Sequence, residues 1–363
     1  SFYGMGVDIA DFNNDQYLDY IQVDMDAKDN RRSKANMASM NPDLFWSTVN
    51  YGFHYQYMHN TLQLNRRVEG EKPFFSNISR LSGISSTDWS WGPLLADFDN
   101  DGWEDFIVVG EWTHIGIFKN NEGVFKDISE KSDLNTLFGW WFNIQETDIN
   151  NDGLKDIIIS NGVKKDVRNN DFLTGLYEKL KTNSQDFYNM AKLAPSNPLP
   201  NYVYQNKNGL EFENVTQKWG FDIPSFSHGL SYADLDNDGD LDIVTNNMET
   251  EASIYKNKTS GNYLKVEFKG SISNTFGYGS KVFVYNDSTI QISENTVTRG
   301  YLSSKEPNLF FGLGNDKKID SVKVVWPDGK IQLYEDVDVN NTITANYSKA
   351  KKKFVKSEKS QPI

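Results

Sequence analysis

Four segments of this chain align without gaps. They are "DFNNDQYLD" (Asp11 to Asp19), "DFDNDGWED" (Asp97 to Asp105), "DINNDGLKD" (Asp148 to Asp156) and "DLDNDGDLD" (Asp234 to Asp242). Their first aspartates lie 86, 51 and 86 residues apart. A unit that recurs at this spacing is one supersecondary element stacked on its own copies, so the repeat constrains the fold before any propensity does. The 51-residue interval is the basic unit, and each longer interval carries an insertion: 29–60 in the first unit and 166–193 in the third.

The flanks repeat as well. Eight residues before each first aspartate stands an aromatic (Tyr3, Trp89, Trp140, Phe226), and five before it stands Gly6, Gly92, Asn143 or Gly229. Each loop is followed by a short Ile- and Val-rich run ("YIQVDM", "FIVVGEW", "IIISNGV", "IVTNNM"), which reads as a buried strand. Polar hairpins follow at 61–79, 115–129 and 201–216, with N-x-G or N-N-E-G at two of the turns. Strand, acidic loop, strand and outer hairpin make four strands per unit, the pattern of a β-propeller blade. The expected fold is therefore all-β: propeller blades over 1–258, as three full units and two partial ones, then a small β domain over 259–347. Residues 348–363 form a Lys-rich tail or linker. The insertions, rich in long side chains at mixed i+3 and i+4 spacing, predict helices on the rim. The partial units fit either a closed four-bladed ring or a piece of a longer array.

Within each loop, positions 1, 3, 5 and 9 carry carboxylates or amides, and position 6 is glycine in three of four copies. Calcium takes six to eight oxygen ligands, and alternating positions of a tight loop turn their oxygens inward. The expected ligand sets are Asp11, Asn13, Asp15, Tyr17 and Asp19; Asp97, Asp99, Asp101, Trp103 and Asp105; Asp148, Asn150, Asp152, Leu154 and Asp156; and Asp234, Asp236, Asp238, Asp240 and Asp242. Position 7 (Tyr17, Trp103, Leu154, Asp240) contributes its backbone carbonyl. Up to four Ca2+ ions are expected, with the first and third loops weaker because they have Asn at position 3 and, in the first, Gln16 in place of glycine. An EF-hand is excluded: position 12 is Gln22, Val108, Ile159 or Thr245 rather than Glu, and the flanks are strands. Magnesium prefers fewer protein ligands. A set of Asx-turns that hold no metal is the plainer alternative.

The formal net charge is −13. Four dications would offset more than half of it. Such a surface repels phosphate backbones, so nucleic acid is not an expected partner. The absence of cysteine removes disulfides and thiolate chemistry. No apolar stretch is long enough to span a membrane, and "SFYGMGVDIADF" lacks the pattern of a signal peptide, so a targeting segment would lie outside this chain.

The D-x-[DN]-x-D-G-x-x-D loops, preceded by "GLSYADLD" or "GPLLADFD", resemble the FG-GAP or VCBS repeats of integrin-type propellers. The segments "NYLKVEF" (262–268), "NTFGYGSKVFVY" (274–285) and "RGYLSSKEPNLFFGLGNDKKIDSVKVVWPDGK" (299–330) are similar to the ASPIC-and-UnbV-type domain of the cartilage-acidic-protein-like family, which includes exported bacterial proteins. One departure is Ser280, where the family often has Ala. The resemblance implies an extracellular or outer-membrane surface protein, acting as a calcium-stabilised binding or scaffold module for a protein or glycan. It also suggests an outer-membrane nutrient-uptake or adhesion assembly.

No catalytic constellation stands out, and no enzyme activity is expected. None of His54, His59, His114 and His228 pair at helical metal spacing, and there is no G-x-S-x-G. The alternative is a carbohydrate-active enzyme or lectin that uses the propeller funnel. Trp89/Trp91 and Trp140/Trp141 recur at a fixed repeat position and read as packing between blades. Phe45, Trp46, Tyr51, Phe53, Tyr55 and Tyr57 lie off the repeat and are the candidate contact surface.

Overall fold

The structure is a computed structural model. It describes residues 4–353 except 30, 32–41, 54, 56, 68–71, 111–113, 133, 135–138, 140, 167–168, 183–188, 191 and 287–288. Tyr3 and Trp140 of the repeated aromatic position lie outside the described residues.

The chain is nearly all β. The first repeat contributes β1 (Val7–Ala10), β2 (Asp19–Gln22), β3 (Met25–Asp26), β4 (Thr61–Asn65) and β5 (Phe75–Asn77). The second contributes β6 (Asp88–Ala96), β7 (Asp105–Gly110), β8 (Gly116–Asn121) and β9 (Val124–Asp127). The third contributes β10 (Trp141–Thr147), β11 (Asp156–Asn161), β12 (Tyr202–Asn206) and β13 (Phe212–Asn214), and the fourth β14 (Ser227–Ala233), β15 (Asp242–Asn247) and β16 (Ser253–Tyr255). These form four antiparallel sheets in the orders β1-β2-β4-β5, β3-β6-β7-β8-β9, β10-β11-β12-β13 and β14-β15-β16. The two-residue β3 leaves the first repeat to pair with the edge of the second, Met25 opposite Trp89. Within the insertions, α1 (Pro42–Asn50) and α2 (Asn170–Thr182) are helical.

Why the sheets stack is legible in β7 and β11. Every residue of "DFIVVG" and "DIIISN" is buried. Alternate side chains of a strand point to opposite faces. Phe106 and Val108 join the core shared with the first sheet, alongside Ala10, Ile21, Leu62 and Leu64. Ile107 and Val109 join the core shared with the third sheet, alongside Trp141, Ile144, Ile157 and Ile159. Ile158 faces the other way, to Leu230 and Ile243 of the fourth sheet. A continuous apolar run is what a strand covered on both faces requires. The inner strands β6, β10 and β14 share a register shift one turn of pleat before Gly92, Asn143 and Gly229.

After the repeats come β17 (Asn262–Lys269), β18 (Lys281–Asn286), β19 (Thr289–Glu294), β20 (Leu309–Gly314), β21 (Lys318–Val325), β22 (Lys330–Asp338), β23 (Asn341–Asn346) and β24 (Lys352–Lys353). They form sheets β20-β17-β23 and β19-β18-β21-β22-β24, around a core that includes Leu264, Val284, Phe311, Val322 and Trp326.

A repeated asparagine at or just after the end of the third strand ties sheet to sheet. Asn120 Nδ2 donates to the carbonyl of Phe12 at 2.8 Å, Asn206 Nδ2 to that of Phe98 at 3.0 Å, and Asn257 Nδ2 to that of Ile149. Each acceptor is position 2 of the preceding acidic loop. The same Asn206 donates to Lys155 O at 3.1 Å and accepts the Gly209 N–H at 2.9 Å. Asn206 is fully buried. Asn206→Ala removes all three bonds and strands their partners away from water, so it is expected to cost ~3 kcal/mol. Urea unfolding checks this, and a loss equal to that of an exposed asparagine such as Asn208→Ala would contradict it.

Candidate metal centre

Each acidic loop joins the inner strand of its sheet to the next strand. The position-1 carboxylate accepts the backbone N–H of position 5 in all four copies: Asp15 N to Asp11 Oδ1 at 2.8 Å, Asp101 N to Asp97 at 3.1 Å, Asp152 N to Asp148 at 3.0 Å and Asp238 N to Asp234 at 3.1 Å. In the first three loops its second oxygen accepts the N–H of position 6, at Gln16, Gly102 and Gly153. The position-5 carboxylate accepts the N–H of position 7: Tyr17, Trp103, Leu154 and, at 3.4 Å, Asp240. The Asx-turn geometry weighed from the sequence is thus present; within it the oxygens of positions 1 and 3 gather with position 9 in the second loop and with position 5 in the fourth.

Position 9 has a second task. Asp105 accepts Phe98 N and Asn120 N, Asp156 accepts Ile149 N and Asn206 N, and Asp242 accepts Leu235 N and Asn257 N. Asp19 accepts Asn65 N at 2.7 Å, while its Oδ2 has no hydrogen-bond partner. This residue pins loop to outer strand, and in the second loop Asp105 also joins the carboxylate cluster. Among the described residues, oxygens of Asp97, Asp99 and Asp105 lie within 4.8 Å of one another, as do those of Asp234, Asp236 and Asp238.

The electrostatics favour an added cation. Burial, then the charges of Asp11 and Asp15, push the Asp19 carboxyl up to about 8. Burial and neighbouring aspartates raise Asp105 to about 8 and Asp148 to about 7. Burial lifts Asp97 to about 6 although Lys155 pulls it down, and Asp156 is raised by burial and Asp148. Carboxylates raised toward or above neutrality by desolvation and by each other are stabilised in their ionised form when a dication joins them. The oxygen-only donor sets suit calcium.

Two lysines partly supply that charge. Lys119 pairs with Asp99 and Asp101, and Lys256 with Asp236 and Asp238. Each directly precedes its tie asparagine. The loops with Asn13 and Asn150 at position 3 have Leu64 and Gln205 there. The extra carboxylate of the second and fourth loops is thus matched by an ammonium from the same sheet, whereas the first loop receives one, Lys281, from the following domain.

Sequence reasoning missed position 4. Asn14, Asn100, Asn151 and Asn237 all adopt positive φ, between 54° and 59°. Asn14 Nδ2 donates to Gly102 O at 2.8 Å, Asn100 to Gly153 O at 2.9 Å, and Asn151 to Gly239 O at 3.0 Å. Each loop grips position 6 of the next. The sequence carries the signal: position 4 is Asn in every copy, and Asn tolerates the left-handed region while its amide can still donate. The glycines of position 6 lie at φ 91° to 94°, and Gln16 adopts the same region at 72°. The first loop therefore has the common shape, at a conformational cost.

The family described as FG-GAP-like repeat matches residues 97–159 and 190–245, which contain the second, third and fourth loops but not the first, and the family described as ASPIC and UnbV matches residues 270–352. Cartilage acidic protein 1 of Xenopus tropicalis is 25% identical over 309 residues, covering 75% of this chain and 47% of that protein. The mouse and human proteins of the same name are 35% and 34% identical over 106 residues, 27% of this chain and 16% and 15% of theirs. The chain spans less than half the length of these relatives.

Gln16→Gly is expected to stabilise the fold by about 1 kcal/mol, because it relieves a left-handed non-glycine residue. Gly102→Ala should cost about as much: its new Cβ meets nothing closer than Ile292 Cδ1 at 3.7 Å, so only backbone strain is added. Thermal unfolding of both variants checks the pair, and changes of the same sign would contradict it. The chain thus carries FG-GAP-like repeats followed by an ASPIC and UnbV domain, the order of domains these matches share.

Proposed function

We propose that this chain is a calcium-stabilised extracellular binding or scaffold module. The observation that carries the reading is the convergence of carboxylate oxygens within 4.8 Å at Asp97, Asp99 and Asp105 and at Asp234, Asp236 and Asp238, in loops whose buried carboxylates at positions 1 and 9 are raised by burial. Asp11, Asp15 and Asp19, with Asn13, would hold an ion in the first loop; Asp97, Asp99, Asp101 and Asp105 in the second; Asp148, Asp152 and Asp156, with Asn150, in the third; Asp234, Asp236, Asp238 and Asp242 in the fourth. The carbonyls of position 7 would complete each set. Calcium would supply charge and cross-linking, not chemistry. The ammonium groups of Lys119 and Lys256 must give way in the second and fourth loops, which offsets the benefit of their additional aspartate. An extracellular place fits the matched families, and no helix among the described residues is long and apolar enough to cross a membrane.

We place partner binding on the first insertion. Phe45 packs against Trp46, Tyr55 and Tyr57, with ring centroids 5.2 to 6.1 Å apart. Around that nucleus Trp46, Tyr51 and Phe53 remain more than half exposed. Aromatic side chains on a rigid base are enriched where proteins and glycans are recognised. The second insertion adds exposed Tyr177 and Leu193. The lectin or enzyme alternative needs free acidic groups on the inner strands. Asp8 and Glu146 are the acids buried there, and both lie against Arg299.

Removing calcium with a chelator should lower the melting temperature, and calcium should restore it. Each saturated site adds ~2.7 kcal/mol at a hundredfold excess over its dissociation constant. A melting curve indifferent to chelator would reject the metal reading. The triple variant Trp46→Ser, Tyr51→Ser, Phe53→Ser should keep that calcium response but lose binding to intact source cells. Undiminished binding would move the contact surface elsewhere.

A further inference from the structure

The aromatic cluster of the first insertion sits on a backbone that is fixed at both ends. Helix α1 closes in a Schellman motif: Gly52 N–H donates to Val49 O at 2.9 Å and Phe53 N–H to Thr48 O at 3.1 Å. Gly52 takes φ +87°, the left-handed conformation this motif requires. The motif sets Tyr51 and Phe53 on either side of that glycine. At the far end Met58 is 5% exposed, and Asn60 Nδ2 donates to Ile84 O at 2.9 Å and to Thr87 Oγ1 at 2.6 Å. His59 joins this anchor to the cluster: Nδ1 lies 3.1 Å from Tyr57 O, and Nε2 lies 3.1 Å from Asn77 Nδ2 at the end of β5. Between the anchors Phe45 meets Trp46 edge-on at 80° and lies at 30° to the ring of Tyr57.

What this surface lacks narrows its partner. From Pro42 to Asn60 the one formally charged residue is Asp43, in a chain of net charge −13. Among the described residues of that span, the exposed large apolar side chains are all aromatic: Trp46, Tyr51, Phe53, Tyr55 and Tyr57. No exposed Leu, Ile or Val joins them. A protein partner is met by aromatics together with Arg and Met, and a bilayer surface by aromatics beside Lys and Arg. The span holds no Lys or Arg, and its Met58 is buried. Exposed Ser47 and Asn50 stand among the rings instead, with the three tyrosine hydroxyls. These groups donate and accept hydrogen bonds without carrying charge. A pyranose ring has the matching chemistry. Its C–H faces are apolar and weakly positive, which suits the negative face of an aromatic ring, and its rim is made of uncharged hydroxyls.

We propose that the first insertion binds a neutral polysaccharide, whose pyranose rings stack on Trp46, Tyr51 and Phe53 while Ser47, Asn50 and the tyrosine hydroxyls take the sugar hydroxyls. This rests on the placement of partner binding on the first insertion and names the class of partner. Each stacking contact with a sugar is weak, so little affinity is left over to order the protein on binding. The Schellman turn and the His59 and Asn60 anchors hold the rings in place beforehand, which lowers that cost.

The test uses the full chain. In native gels containing mixed-linkage β-glucan, xyloglucan, galactomannan or pullulan, at least one polysaccharide should retard the protein, and added salt should not reverse it. Trp46→Ala and Tyr51→Ala should each weaken that binding about tenfold without changing the melting temperature, while Trp46→Tyr keeps a ring and should keep most of it. Binding to intact source cells should fall when mild periodate cleaves the vicinal diols of their glycans, and should survive protease treatment of the cells. Absence of retardation in all four gels would overturn the proposal. So would cell binding that protease abolishes and periodate spares, which indicates a protein, or sedimentation with phosphatidylcholine vesicles, which indicates a bilayer. In those cases the triple variant of Trp46, Tyr51 and Phe53 still reports whether the first insertion is the contact surface. Retardation that Trp46→Ala and Tyr51→Ala leave unchanged would overturn that placement as well.

Discussion

A carboxylate taken out of water must be given back its hydrogen bonds and its counter-charge, and the architecture of the repeats follows from how that is done. Asp97, Asp105, Asp148 and Asp156 satisfy their oxygens with backbone N–H groups, which fixes the loop and pins it to the outer strand. Hydrogen bonds to the backbone do not neutralise the charge, however, and burial holds these groups toward their protonated form. Lys119, Lys256 and, from the following domain, Lys281 against Asp11 at 2.8 Å each bring an ammonium to one loop. The third loop has no such ammonium among the ion pairs of the described residues.

The loops also communicate along the array. The amide of position 4 reaches the next loop, and the tie asparagine reaches back to the previous one. Position 2 shows what happens where a neighbour is absent: Phe12 and Phe98 are fully buried and Ile149 is 5% exposed, but Leu235 in the fourth loop is 51% exposed. The following domain covers the loops from another side. Gly312 of β20 lies so close that a Cβ would meet Asp148 Oδ2 at 2.0 Å, and Gly314 N donates to Asn151 O at 2.6 Å.

Much of this was legible in the sequence because it repeats. The all-β class and the acidic loops with their glycines could be read from aligned residues, and the domain that follows from its resemblance to a known family. Asn14, Asn100, Asn151 and Asn237 could have been read too, as could Asn120 and Asn206 before their turns; their amides bind backbone carbonyls, a role that metal-ligand spacing does not reveal. Arg299 could not. It occurs once, its partners Asp8 and Glu146 lie on different sheets, and no periodicity links residues 291 positions apart. Asn143 was visible only as an irregularity in a column of glycines, and its partners Tyr301 and Ser303 come from outside the repeats.

That separation in sequence governs how the molecule is assembled. The tie asparagines each close a chain loop of 108 residues, and the Arg299 contact closes one of 291. Contacts so distant along the chain form late and slowly, after the local hairpins. During synthesis from the N-terminus, the first sheet is complete long before its guanidinium exists, so Asp8 must remain hydrated until the segment at 297–305 arrives. β1 therefore reaches its final environment only when the ASPIC and UnbV domain has been made, and until then the sheets made before it depend on whatever keeps unfinished sheets from associating with one another.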